Sequence, residues 1–209
     1  MPASIEQAVI ALTARGGAPE HQDRVLEMRR VFERRTGAFG VDDAWFDARS
    51  AAFWDEALVK GFARAVMAEV PEALHPYVDA LERAHRGLYA VHRKQKTLLE
   101  CAVTGAVLAI DPPQNAGLAD ALERADGFVQ GFVAGSSLPE QVILLPGAVF
   151  HAPEASAAIE ALLPIARERA VPESDILDAL LRMDRTLRAM PRAKAQLAYR
   201  PEALMVRPR

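Results

Sequence analysis

Several features that would identify a protein's chemistry are scarce or absent in this sequence of 209 residues. It contains one cysteine, Cys101, so no intramolecular disulfide can form, which favours a reducing compartment. No apolar run is long enough to cross a bilayer, and the N-terminus lacks the basic stretch and apolar run of a secretory signal. We therefore expect a cytoplasmic protein without a membrane span.

Complete catalytic or phosphate-binding motifs are also lacking. Gly135, Ser136 and Ser137 follow a predicted strand, but they complete neither a Gly-x-Ser-x-Gly nucleophile elbow nor a Gly-Lys-Ser/Thr phosphate loop. Two Glu-x-x-His motifs, at 72–75 and 82–85, lie close together in sequence, whereas di-iron bundles place such motifs on two separate long helices. We predict no catalytic residues, no metal site and no cofactor.

One pair of residues could in principle support nucleophilic catalysis, namely Cys101 as nucleophile and His92 as base. A two-residue turn at 95–96 would pair His92 with Leu99 and Ala90 with Cys101, leaving the two side chains about 7–8 Å apart on one face. That separation is beyond hydrogen-bond reach, and a turn one residue longer would place them on opposite faces. We interpret Cys101 as a small buried apolar residue.

The charge of the chain is small overall and unevenly distributed. A net charge of −3 argues against a dedicated nucleic-acid-binding domain. From Arg182 to Arg209 there are eight basic and two acidic residues, a net charge of +6, so the remainder carries −9. We expect the last part of this segment, 192–209, to be an extended basic tail that either folds back on the acidic body or reaches an acidic partner.

The main positive signal in the sequence is a change of hydrophobic period. Apolar residues recur at helical spacing over 4–86, follow a strand pattern interrupted by Gly and Pro over 87–151, and return to helical spacing from 154 onward. This pattern predicts an α+β fold. We expect an N-terminal helical lobe, a central small antiparallel β-sheet or partly open barrel of five or six short strands, and two C-terminal helices packing on it.

The same pattern suggests a division of the chain. We assign 1–70 to an N-terminal helical region and 71–191 to an α+β region with its sheet at about 87–151. The basic tail, 192–209, follows. A single compact domain is the alternative, because a chain of this length can build one sizeable core.

Four aromatic residues, Trp45, Phe46, Phe53 and Trp54, form a cluster at helical spacing. Such a cluster is typical of a core or of a helix-packing seam. The alternative is that Trp45 and Trp54 anchor a protein partner, because an exposed tryptophan is costly unless something covers it. Gly61 interrupts the same face and indicates either a close helix crossing or a helix break.

A basic cluster lies where the predicted sheet begins. It consists of Arg83, Arg86, His92, Arg93, Lys94 and Lys96. These residues could form an anion-binding patch, or they could be a solvated charged face. Nucleic-acid binding on a small sheet also needs exposed aromatic rings for stacking, and Tyr89 is the only one nearby.

These observations favour a non-enzymatic, cytoplasmic bacterial protein with a regulatory or adaptor role that acts by contact with a protein partner or a second copy of itself. The bacterial assignment rests on the Ala- and Arg-rich composition. One alternative is a small-ligand or nucleic-acid binding protein that uses the basic cluster. Another is an enzyme whose site is dispersed through the sequence.

Overall fold

The structure is a computed structural model that describes residues 4–93, 96–136, 141–190, 192 and 194–205. Lys94 and Ser137 lie outside the described residues, as do the two arginines at the end of the tail.

The N-terminal part is helical, as its apolar spacing predicts. Its helices are α1 (Ile5–Arg15), α2 (Gln22–Thr36), α3 (Phe46–Ala57), α4 (Ala63–Val66) and α5 (His75–Glu82). The Ser4 side chain caps α1 by accepting a hydrogen bond from the amide of Gln7 at 3.3 Å. Gly61 has a φ of 99°, which only glycine adopts readily, so it breaks the path between α3 and α4. The helix break is therefore confirmed.

Six short strands follow, with one helix between the third and the fourth. The strands are β1 (His85–Arg93), β2 (Thr97–Cys101), β3 (Val107–Ile110), β4 (Phe128–Gly135), β5 (Gln141–Leu144) and β6 (Val149–Phe150), and the helix is α6 (Ala116–Arg124).

The strands form a small barrel that is closed. Their order is β1-β2-β3-β5-β4, and β1 also pairs with β4, so five strands complete a ring while β6 adds to β4 outside it. The pairings are antiparallel except that of β3 with β5, which is parallel. The α+β class and the small barrel are confirmed, and the ring is more complete than a partly open barrel because β1 reaches β4.

Alternate residues of the strands point into the ring and away from it. Inward side chains such as Tyr89, Leu99, Val129 and Leu144 fill the barrel as one apolar cluster, to which α6 contributes Leu118 and Leu122. A barrel of this size has room inside for side chains alone. Phe132 on the outside packs with the N-terminal helices. The barrel interior is therefore core and not a binding cavity.

The chain ends in α7 (Ser156–Glu168), α8 (Glu173–Ala189), α9 (Ala195–Ala198) and α10 (Pro201–Leu204). Leu88 and Phe128 on the outside of the barrel pack with α7 and α8. The described part of the tail departs from the predicted extended conformation, because α9 and α10 form and bury Tyr199 and Leu204 against α7 and α8. Apolar burial thus outweighs the like charge of the tail.

The turn between β1 and β2 is one residue longer than the two-residue turn considered above. Arg93 pairs with Thr97, His92 with Leu98, and Tyr89 with Cys101. A shift of one residue moves every side chain of one strand to the other face. Cys101 is therefore buried inside the barrel, whereas exposed His92 lies 2.8 Å from a carboxylate oxygen of Glu100.

Candidate functional site

A groove runs between α1 and α3 and is closed at one side by two loops. Its volume is about 700 Å³, within the range of small-ligand and side-chain pockets. We call it the α1/α3 groove and define it by its lining residues: Glu6, Gln7, Val9, Ile10, Thr13, Ala14, Ala51, Trp54, Asp55, Gln114, Asn115 and Pro146.

Two close backbone approaches shape this groove. A Cβ on Gly16, at the end of α1, would lie 2.1 Å from the Trp54 ring, so only glycine lets that indole form the end wall. A Cβ on Gly147 would lie 2.3 Å from the carbonyl oxygen of Ala51, so the turn after β5 rests directly on α3. Trp54 also packs on Phe53 at 5.1 Å and Phe62 at 5.8 Å between ring centroids. The walls are therefore held by tight packing.

Asp55 is the most unusual polar residue in the groove. It is 2% exposed, and its Oδ2 accepts a hydrogen bond from the Gly147 amide at 2.7 Å. The described residues provide no hydrogen bond to its Oδ1 and no salt-bridging cation. Burial raises the pKa of Asp55 to about 8, although the Gly147 amide partly opposes the shift. A carboxyl with such an environment is a functional-site candidate.

Two further polar groups of α1 line the groove beside Asp55. Glu6 is 8% exposed and accepts a hydrogen bond from the Gln114 amide at 2.8 Å, which ties α1 to the loop before α6. The hydroxyl oxygen of Thr13 is buried and has no hydrogen-bond partner among the described residues. Buried polar groups are normally paired, so the Thr13 hydroxyl is an exception within the groove wall.

A second cavity, of about 650 Å³, is lined in part by Trp45, whose indole N–H has no acceptor among the described residues. His151 also lines it, but this buried ring already contacts the Tyr199 hydroxyl at 3.0 Å and Gln130 at 3.3 Å. Burial lowers the pKa of His151 to about 4, so the ring is neutral at pH 7. The rim carries charges of both signs, so we rank this cavity below the α1/α3 groove as a site.

The structure does not gather the predicted basic cluster into one patch. Arg86 points inward to Asp178, at 2.7 Å, and is 14% exposed. Arg93, seven residues along β1 and so about 23 Å away, donates to the carbonyl oxygens of Glu123 and Ala125.

The remaining members do not rebuild the patch. His92 contacts Glu100, Arg83 is exposed at the end of α5, and Lys96 is exposed next to the loop before α6. Lys94 lies outside the described residues. Since the cations bind partners within the chain or lie far apart, the geometry offers little support for an anion site here.

Arg86 instead belongs to a buried ionic network that joins four elements. Asp178 of α8 contacts Arg86 and Arg35 of α2, each at 2.7 Å. Glu56 of α3 contacts Arg35, Lys60 at 2.9 Å and Arg86 at 3.5 Å. Each carboxylate has at least two cations, although Glu56 Oε2 accepts no hydrogen bond among the described residues, and the network links the helices to the barrel.

The other sequence candidates are also engaged elsewhere. His75 contacts the carbonyl oxygen of Val70 at 3.2 Å, and Glu82 pairs with Arg64, so the two Glu-x-x-His motifs do not converge. The Ser136 hydroxyl donates to Asp111 at 2.7 Å.

A group of metal-type ligands that the sequence reasoning missed is formed by Glu20, His21 and Glu69. Glu69 also accepts a hydrogen bond from Arg15 at 2.9 Å, so the group is a surface ion cluster with its own cation. It ties the end of α1 to the segment after α4.

The reasoning from sequence placed Trp54 in a possible partner site but missed Asp55, Glu6 and Thr13. One signal was available for Asp55. It follows Ala52 by three residues and precedes Leu58 by three, so it occupies an apolar stripe of α3 where a carboxylate is out of place. No comparable signal marked Glu6, because the first turn of a helix commonly carries an acidic residue.

The fold and the groove thus define an α+β protein with a filled small barrel and an apolar groove that holds two buried carboxyl groups. No protein-family model, no curated protein and no solved structure matches the chain. Across the described ranges, every helix is too short or too polar to cross a membrane.

Proposed function

We propose that this chain is a binding protein with a regulatory or adaptor role, and that it docks an apolar helical segment of a protein partner in the α1/α3 groove. The observation that carries the proposal is the groove itself, an apolar channel of about 700 Å³ bounded by two helices. A helix laid between two helices is a common mode of peptide recognition.

The length and the lining of the groove suit such an occupant. The lining residues of α1 run from Glu6 to Ala14, which corresponds to about 12 Å or two helical turns. Ile10 at the rim is 67% exposed, and its apolar surface would be covered by a docked helix. Trp54 supplies an aromatic wall of the kind enriched at binding hot spots.

The proposed location is the cytoplasm of a bacterium. The low cysteine content supports a reducing compartment, and the Ala- and Arg-rich composition supports the bacterial assignment. Contact with a protein partner is favoured over catalysis because the polar groups of the groove do not form a nucleophile and base pair.

Site-specific photocrosslinking tests the docking proposal. A benzoylphenylalanine placed at Ile10 should crosslink one partner in the source cell, and the same residue at Leu197 of α9 should not. Both positions are exposed, 67% and 57% respectively, so neither replacement should disturb the fold.

The matched variants are Ile10→Asn, Ala14→Gln and Leu197→Asn, which add polarity without charge. In a pull-down without the crosslinker, each variant is tested against the partner that the crosslink identified. Retention of that partner should fall at least about tenfold with the first two variants and stay unchanged with the third, since loss of one buried apolar anchor costs about 1.5–3 kcal/mol. Equal retention by all three variants, or no crosslink at position 10, would show that the groove is not the docking site.

A further inference from the structure

The ionisable residues of the α1/α3 groove are all acidic. Its lining contains the carboxyl groups of Glu6 and Asp55 and no Lys, Arg or His among the described residues. Glu56, the next residue of α3, shows the contrast, because three cations surround it. The acidic groups of the groove therefore lack the compensation that the same helix provides one residue further on.

Two polar atoms of the groove lining have no hydrogen-bond partner among the described residues. Asp55 uses Oδ2 for the Gly147 amide and leaves Oδ1 without a partner among the described residues. The Thr13 hydroxyl has no partner either. The indole of Trp54 lines the same space, and an aromatic face attracts a cation.

We infer that the groove selects a positively charged group on an apolar stem, and that Asp55 is the residue that binds it. This inference rests on the proposed function, and it identifies the docked segment as one that presents a lysine or arginine among apolar side chains. The aliphatic stem of such a residue would lie along Val9 and Ala51 while its charged end reaches Asp55. A free alkylamine has the same chemistry and is the second source of the ligand.

Proton linkage follows from the same geometry. The polar side chains that line the groove with Asp55 come from α1 (Glu6, Gln7, Thr13) and from the loop before α6 (Gln114, Asn115), and among these described residues Glu6 carries the other carboxyl group. Since the pKa of Asp55 is about 8, its carboxyl is mostly protonated at pH 7 in the free protein. A bound cation would ionise it and release a proton.

Octylamine and octanol are matched probes, because they share a stem and differ in charge. Binding is followed by Trp54 fluorescence in a Trp45→Phe background, which leaves Trp54 as the sole tryptophan. We expect octylamine to bind at least about tenfold more tightly than octanol at pH 7, as a hydrogen bond to a charged group would give. Its affinity should rise from pH 6 to pH 8, whereas that of octanol should stay constant.

Variants locate the effect. Asp55→Asn should remove the preference for the amine, and Glu160→Gln, at an exposed position of α7, should preserve it. Calorimetry of the wild type in buffers of different ionisation enthalpy should show about one proton released per amine bound at pH 7, a readout that survives even if Asp55→Asn misfolds.

Equal binding of amine and alcohol, no binding of either, or an unchanged preference in folded Asp55→Asn would overturn the inference. These outcomes are separate from a failure of the proposed function, which the photocrosslink at position 10 tests. A groove-specific crosslink with no amine preference would refute only the charge selection. Amine selection without a crosslinked partner would refute only the protein occupant, and would assign the site to a free amine.

Discussion

Asp55 and Glu56 are consecutive residues of α3, both nearly inaccessible to water, and the fold surrounds them in opposite ways. Glu56 faces Arg35, Lys60 and Arg86, which come from three other positions in the chain. Asp55 faces an apolar groove and one backbone amide. Two buried acids on one helix can therefore have different surroundings, since Glu56 is paired with cations whereas Asp55 lines a groove and accepts one backbone hydrogen bond.

The largest effect on stability should come from disrupting the ionic network to which Glu56 belongs. Asp178→Ala would remove one of the two carboxylates that Arg35 and Arg86 share in a largely buried place. We expect the free energy of unfolding to fall by about 3 kcal/mol, measured by urea denaturation. Glu160→Ala, at an exposed position of α7, is the control, and a loss below about 1 kcal/mol for Asp178→Ala would show that the network contributes little.

The second largest effect on stability should come from the groove wall beside Asp55, where Gly147 contacts α3. In Gly147→Ala the new Cβ would meet the carbonyl of Ala51 at 2.3 Å, so the turn must move away from α3. We expect a loss of about 2 kcal/mol in unfolding free energy, typical of overpacking. Gly40→Ala, whose Cβ would meet no atom within 4 Å, should be nearly neutral. Similar stabilities of the two variants would contradict the close contact.

A pH series sharpens the comparison at Asp55 itself. Its folded pKa, about 8, exceeds the ordinary value of 3.8, so between these values the folded state holds a proton that the unfolded state has lost. The wild type should lose stability relative to Asp55→Asn as pH rises, by about 1 kcal/mol between pH 6 and pH 7, with no further change well above pH 8. A constant difference from pH 5 to pH 8 would show that Asp55 is ionised throughout.

The smallest effect distinguishes the partners of Glu56 from one another. The Lys60 side chain is 55% exposed, so water screens its ion pair with Glu56. We expect Lys60→Met to change the unfolding free energy by no more than about 0.5 kcal/mol, against a far larger loss for Arg86→Met. Urea denaturation of the two variants side by side measures the contrast, and equal losses would mean that exposure does not rank these pairs.

The order of helices and strands could be predicted from the sequence because it depends on local periodicity. Helical spacing before Gly87 and after His151 separates cleanly from the alternating, glycine-rich region between them. The break at Gly61 was also legible, since glycine interrupts an apolar helical face. Such signals can be read from the sequence because hydrophobic periodicity depends only on residues that are neighbours in the chain.

Closure of the barrel, the register of β1 with β2, and the groove were decided by the tertiary structure. A turn one residue longer moved Cys101 and His92 to opposite faces, and no composition signal reports turn length. Whether a buried acid meets cations or an open groove depends on residues distant in the chain. Arg35 and Arg86 lie 21 and 30 positions from Glu56, and Gly147 lies 92 positions from Asp55. Those long-range neighbours are set by packing, so the sequence alone showed two acidic residues side by side and not their different surroundings.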